Sequence, residues 1–242
     1  MVYDWIDKSA NNKSYDGNKW YALWFEKLLE HINLLIPSFE KIINWRRITT
    51  NNYPSIAIRE FVANALIHQD FSISWINPII EIYKDRIEIT NPWVPLIDIN
   101  RFIDSWKARN EDLSDLMRKM KFCEKLWSWI DKAIIEIERQ KLPAPKIEQW
   151  EDYTKVTLYS SEKIESLSKE DRVRACFQHC VIKYILKDYM TNSSFRERMN
   201  LEDNQHTISS NIIKQTIDSW LIKVLDSTNK ANRYTKYVPF WH

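Results

Sequence analysis

Apolar and polar positions follow two periods along the chain, and the switches between them outline the elements. From Phe25 to Ile36, apolar residues at 25, 28, 29, 32 and 35 recur at helical spacing. This predicts a helix closing an otherwise polar lead-in, residues 1–50. A second helix is predicted after Pro54, from Ser55 to Gln69, with Ile58, Phe61, Val62, Ala65 and Leu66 on one face. The period then falls to two, because Ile79 to Tyr83 and Arg86 to Thr90 alternate around Lys84-Asp85 as a hairpin does. Helices are expected over 111–122 and 130–140, and a strand over 155–159. The polar, charged stretch from Ser160 to Glu170 marks a domain boundary. Beyond it come helices over 173–189, 193–199 and 207–219 and strands over 222–225 and 234–238. The expected fold class is α+β, with a layered domain over 51–160. Three helices and a hairpin over 165–242 have the pattern of a winged helix-turn-helix.

Composition narrows the class. With 242 residues, 44% hydrophobic and 28% charged, the chain has enough apolar side chains for proper cores. Disorder, collagen and a disulfide scaffold are excluded. No apolar run approaches the roughly 18–20 residues of a membrane span, and the opening MVYDWIDKSANNK has no signal-peptide core. Three cysteines, Cys123, Cys176 and Cys180, suit a reducing compartment, so the cytoplasm is expected. Cys176 and Cys180 flank His179 but lack a fourth ligand, and they read as small core residues, not a metal site. A net charge of +2 means that any basic surface is local.

One feature is anomalous. The chain has 1 glycine and 12 tryptophans, whereas average usage would give about 7% glycine. Several tryptophans stand where turns ask for glycine: Asn91-Pro92-Trp93 after a strand, Ser74-Trp75 between a helix and a strand, and Ser219-Trp220-Leu221 at a helix end. UGA encodes glycine in one variant genetic code and tryptophan in another. The expectation is that most of these tryptophans are glycine codons misread, Trp241 being authentic.

Glu60, Asn64 and His68 fall on one strip of the helix over 55–69, beside its apolar face. Asn supplies a hard oxygen suited to Mg²⁺, and Glu can orient or deprotonate a water. A solvated helix face would look the same. The surrounding text, from Tyr53 to Phe71, carries Arg59-Glu60, Asn64-Ala65 and His68-Gln69-Asp70-Phe71. It resembles the family labelled "ATP-dependent DNA helicase RecG-related, C-terminal", whose members are regarded as transcriptional regulators and are similar to the GHKL ATPases. No Gly-x-x-x-x-Gly-Lys-Ser/Thr loop is present, so helicase activity is not expected.

Three further segments carry the resemblance. Asn91-Pro92-Trp93 looks like the family's Asn-Pro-Gly-Gly, the counterpart of the adenine-binding box. Trp106 to Asn110, with Arg109, looks like Gly-x-x-Arg-Asn. Glu124 to Ile130, with Trp127, Ser128 and Trp129, looks like Glu-x-x-Gly-Ser-Gly-Ile. Tryptophan thus replaces glycine at motif positions 93, 106, 127 and 129. The resemblance implies a GHKL/Bergerat-like α/β sandwich that binds ATP with Mg²⁺ at Asn64, and it leaves hydrolysis, with Glu60 as base, open. The implied nucleotide contacts are Asn64, His68, Asp70, Asn91, Pro92, Trp93, Arg109, Asn110, Glu124, Trp127, Ser128 and Trp129. A Gly-Ser-Gly turn at the helix start would cradle phosphate, which indoles at 127 and 129 would obstruct.

The tail also looks like the family's C-terminal winged helix. Its second short helix is expected to be capped by Asn192 or Ser193, with Glu197 completing a box. The helix over 207–219 presents Ser209, Ser210, Asn211 and Lys214, and the wing brings Lys230, Arg233 and Lys236 together. The implied partner is double-stranded DNA, a homodimer is left open, and the reading is an ATP-responsive DNA-binding regulator. An ATPase module of a DNA-processing or defence system is the alternative, and a non-nucleotide scaffold with authentic tryptophans is a third. Family members frequently carry an upstream Schlafen-type AlbA domain, for which residues 1–44 are too short; either residues 1–50 are its remnant in a truncated gene product, or the domain is encoded separately.

Overall fold

The hairpin around Lys84-Asp85 forms, and it is the middle of a larger sheet. The computed structural model describes residues 1–3, 12–15, 21–36, 38–43, 45–73, 77–105, 107–122, 129–161, 166–225 and 235–242. Strands β5 (Ile79–Ile82) and β6 (Arg86–Asn91) pair antiparallel, Ile82 opposite Ile87. On its other side β6 pairs with β8 (Thr154–Tyr159), and β8 with β7 (Lys146–Gln149). Strand β1 (Val2–Tyr3) joins β5 in parallel and β2 (Asn12–Lys13) adds to that side, giving the order β2-β1-β5-β6-β8-β7. A separate hairpin, β3 (Ser38–Ile43) and β4 (Arg46–Asn51), lies in the lead-in beside the expected helix α1 (Tyr21–Leu35).

Alternation divides the sheet. Ile82, Ile87, Ile89, Val156 and Leu158 are buried in the core with helix α2 (Ser55–His68) and helix α4 (Trp129–Arg139). Helix α2 contributes Ile58, Phe61 and Val62 to that core, and α4 contributes Ile130, Ile134 and Ile137. Full burial of each such side chain stabilises by about 1.5–3 kcal/mol. The alternate positions form a polar network: Tyr3 stacks on Tyr83 at 4.7 Å, and both hydroxyls donate to Glu81 Oε1. Burial raises the Glu88 pKa, but hydrogen bonds from Arg86 at 2.6 Å and Lys155 at 3.0 Å outweigh it and hold the carboxyl below its ordinary range.

After β8 come α5 (Lys169–Ile185), α6 (Asn192–Arg198) and α7 (His206–Asp218), then β9 (Ile222–Val224) paired antiparallel with β10 (Tyr237–Pro239). Helix α3 (Glu111–Lys119) precedes α4. The α6 cap differs from expectation. Extended Thr191 accepts from the Ser194 N–H, and Ser194 Oγ accepts from the Thr191 N–H, so neither Asn192, Ser193 nor Glu197 forms the box. Cys176 and Cys180 are fully buried and free, and burial pushes both thiols up, Cys176 to about 12.

The two stretches on either side of the polar 160–170 segment share one core. Polar groups also stitch them together. Glu138 at the end of α4 takes His179 Nδ1 at 2.9 Å and lies 3.3 Å from Arg198 Nε, while Arg198 Nη2 donates to Leu142 O at 2.7 Å. Gln178 Nε2 donates to Pro145 O at 2.8 Å.

Helices α3 to α7 all end the same way. Lys121, Lys141, Lys187, Asn200 and Trp220 each have φ between 54° and 60°, and in each case the following residue's N–H reaches back into the last turn, as Leu142 N does to Ile137 O at 3.0 Å. This is the left-handed termination that glycine adopts without steric cost. Five of five here are non-glycine. Trp45, between β3 and β4, is also left-handed at φ 66°, with its indole 98% exposed.

Candidate functional site

The last two turns of α2, the end of β6 and the loop before α3 meet. Asn91, closing β6, donates Nδ2 to Ala65 O at 2.6 Å, which fixes its amide and leaves Oδ1 buried without a partner. Asn110 donates Nδ2 to Ile67 O and Gln69 O, both at 2.8 Å, tying down the open carbonyl end of α2. Arg109 pairs with Asp70 at 2.9 Å and donates to Val94 O at 3.1 Å, while its Nε is buried without a partner. Hydrogen bonds from Ser72 depress the Asp70 carboxyl, and Arg109 adds to this. Thr154 Oγ1 donates to Trp93 O at 2.8 Å.

Trp93 fills the middle of this place. Its ring is 4% exposed and stacks on His68 at 4.8 Å, with Phe102 beyond at 6.1 Å. Burial, aided by the nearby Arg109 charge, lowers the His68 pKa to about 4, so the imidazole is neutral at pH 7 and its Nδ1 has no partner.

Glu60 lies two turns earlier, fully buried rather than beside the apolar face. Arg59 donates Nε to its Oε1 at 2.9 Å, and Oε2 has no partner. Burial raises its pKa, with Asp131 on α4 contributing and Arg59 and Lys132 opposing. Burial raises Asp131 as well. Asn64 is half-buried on the same helix. Five buried atoms without partners, Glu60 Oε2, His68 Nδ1, Gln69 Oε1, Asn91 Oδ1 and Arg109 Nε, therefore lie along α2 and the segments packed on its end. An unpaired buried polar atom costs about 1–3 kcal/mol, so each of these five calls for a partner that the fold itself does not supply.

The sequence-predicted set is thus partly assembled. Glu60, Asn64, His68, Asp70, Asn91, Pro92, Trp93, Arg109 and Asn110 share this region, although Asp70 and Asn110 are committed to internal partners. Glu124, Trp127 and Ser128 lie outside the described residues, as do Trp75 and Trp106, and Trp129 is described only as the first residue of α4. Gln69, inside the His68-Gln69-Asp70-Phe71 segment, and Thr154, just before the strand expected over 155–159, join the region although neither is among the implied nucleotide contacts. Among the described residues no group of three His, Cys, Asp or Glu side chains stands ready for a metal ion, and no helix is long and apolar enough to cross a membrane.

In the C-terminal part, Ser210, Asn211 and Lys214 are exposed on α7, and Ser210 Oγ accepts from Asn192 at 2.9 Å. Ser209 is buried, its hydroxyl 2.9 Å from both Asn192 Oδ1 and His206 O, so it joins α6 to α7 instead of facing outward. Lys236 is exposed with Nζ 4.7 Å from the Tyr189 ring centre, and Lys230 and Arg233 lie outside the described residues.

What these observations define is a mixed α+β chain with a cluster of buried polar groups where the end of α2, the end of β6 and the loop before α3 meet. Residues 77–158 match the family model described as "Putative ATP-dependent DNA helicase recG C-terminal", an HATPase-type family. That is the RecG-related family that the motifs resemble, and the matched segment contains Asn91, Trp93, Arg109 and positions 124–129. Helix α2, with Glu60 and Asn64, lies upstream of it. No curated protein matches the chain. Among solved structures, the DIP2311 protein of Corynebacterium diphtheriae superposes with a TM-score of 0.62 at 16% identity over 98% of this chain, which spans 50% of that protein. The likeness concerns the fold.

Proposed function

We propose that the chain is an ATP-binding module of GHKL-like architecture joined to a winged helix-turn-helix that contacts double-stranded DNA, and that nucleotide occupancy regulates the DNA contact. The observation that carries the nucleotide reading is the cluster of unpartnered buried polar atoms along α2 and β6, within and beside the segment that matches an HATPase family. Asn91, its Nδ2 locked on Ala65, offers an acceptor oxygen to an exocyclic amine. In this reading Asn64 holds Mg²⁺, which when bound neutralises phosphate charge. The polar atoms fit a purine nucleotide, but the indole of Trp93 occupies the centre of the place, so the reading includes glycine at 93 and at the phosphate-side positions 127 and 129. Left-handed Trp45 and Trp220 support the same exchange, although the lysines at three equivalent helix ends moderate that support.

The DNA reading rests on exposed Ser210, Asn211 and Lys214 on α7, with Lys230, Arg233 and Lys236 as the wing. A gel shift with duplex DNA tests it. Affinity falling steeply with salt supports phosphate contact, and absent or salt-insensitive binding rejects it. An ATPase module of a DNA-processing or defence system is the second reading, favoured by the free, burial-raised carboxyl oxygen of Glu60, the position of a general base. Steady-state ATP hydrolysis abolished by Glu60→Ala would select it.

A further inference from the structure

Helix α7 is held from one side and open on the other. Ile212, Ile213 and Thr216 are buried, and the Asn192 amide at the start of α6 ties down the first turn. Its Nδ2 donates to Ser210 Oγ and its Oδ1 accepts from Ser209 Oγ, both at 2.9 Å. At about 100° per residue, Thr207, Asn211 and Lys214 fall on a strip roughly 60° wide, with Ile208 about 60° beyond Asn211. All four are exposed. Among the described residues, the Asn211 amide has no partner. From His206 to Gln215 the helix carries no carboxylate, and Lys214 makes the strip positive, the complement of a phosphate backbone.

Two of these side chains carry more information than charge. Ile208 is 41% exposed among polar neighbours, and a β-branched side chain is stiff at χ1. Asn211 offers a donor and an acceptor side by side. In the major groove that pair matches adenine, whose N6 amine donates and whose N7 accepts, while an apolar side chain matches the thymine methyl group. Three residues of helix rise about 4.5 Å, close to the roughly 3.4 Å step between base pairs. We propose, resting on the DNA reading above, that α7 reads an adenine through Asn211 and the thymine methyl of the adjacent base pair through Ile208. Asn211 Oδ1 accepts from N6 and Nδ2 donates to N7. Lys214 contacts a phosphate and adds affinity without sequence preference. The contacts of Asn192 with Ser209 and Ser210 hold the reading face in one orientation.

The full chain is first used to select duplexes from a pool randomised over its centre. Fluorescence anisotropy then measures its affinity for the selected duplex and for versions with single base replacements. 7-Deazaadenine removes the N7 acceptor and uracil removes the thymine methyl, and neither alters the protein. At adjacent A·T positions each replacement is expected to weaken binding about threefold or more. Asn211→Ala is expected to become indifferent to 7-deazaadenine and Ile208→Ala to uracil, while both keep the steep fall of affinity with salt. Salt-dependent binding with no A·T preference, or base-replacement effects that persist in the two variants, would overturn the proposal and leave the DNA reading standing. No binding to any duplex would reject both.

Discussion

Replacing Trp45 by glycine isolates the backbone question from every other role of a tryptophan. The residue links β3 to β4 at φ 66°, and its ring, 98% exposed, contributes nothing by burial. Holding a residue with a Cβ in the left-handed region costs about 1–2 kcal/mol. Glycine removes that cost but gives back roughly 0.5–1 kcal/mol through the larger entropy of its unfolded state. The net stabilisation for Trp45→Gly is about 0.5–1 kcal/mol, and a chain of this size gains roughly 2–4 °C in Tm per kcal/mol. Calorimetry is therefore expected to show Tm rising by about 1–4 °C. Trp45→Ala keeps the Cβ and is expected to move Tm by less than about 1 °C. If alanine stabilises as much as glycine, or glycine destabilises, the left-handed strain argument fails here and at the five helix ends.

Other perturbations test the joints and charges. Glu138→Ala leaves Arg198 buried without its carboxylate and frees His179, and it is expected to cost about 3–5 kcal/mol in denaturant melts. A loss below about 1 kcal/mol would mean that the network does not hold the two parts together. His68, depressed from 6.5 to about 4, binds fewer protons folded than unfolded, so its contribution is present above pH 6.5 and is lost as pH falls towards 4. His68→Gln is expected to flatten the melting profile in that window, and an unchanged profile would refute the assignment. Glu60 has the opposite sign. Its raised pKa favours the fold below 4.5, and that contribution is lost as pH rises. Glu60→Gln is expected to stabilise the protein more at pH 7 than at pH 4, as read from melts at the two values.

Elements with enough residues to display a period were legible. The helical face of 55–69 became α2, and the alternation of 79–90 became β5 and β6. Strand β7, four residues of Lys-Ile-Glu-Gln, and the two-residue β1 carry too little pattern, since pairing with β8 and β5 is what makes them strands. The site was legible as a list of residue types and much less as an environment. Helical spacing puts Glu60 at the margin of the apolar face, but α4 packs so closely that it is fully buried. Small polar residues such as Ser209 suit the reading of bases, yet its hydroxyl is consumed by Asn192. Gln69, the variable position within the His68-Gln69-Asp70 segment, acquires significance only through the enclosure that the loop before α3 provides.

The tryptophans also separate in space. Trp45 and Trp220 are exposed and left-handed, and Trp93 plugs a polar place. Trp241 instead packs edge-on against Phe177 with Arg101 over its ring, as a residue selected for its indole would. The central claim is that the polar place behind Trp93 is a nucleotide site. Titration calorimetry with ATP and Mg²⁺ on the chain carrying Trp93→Gly, Trp127→Gly and Trp129→Gly tests it most directly. The account predicts one-to-one binding at least about tenfold tighter than to the tryptophan chain, and lost on adding Asn91→Leu. A folded triple variant that takes up no ATP, or that binds it equally with Asn91→Leu, would contradict it.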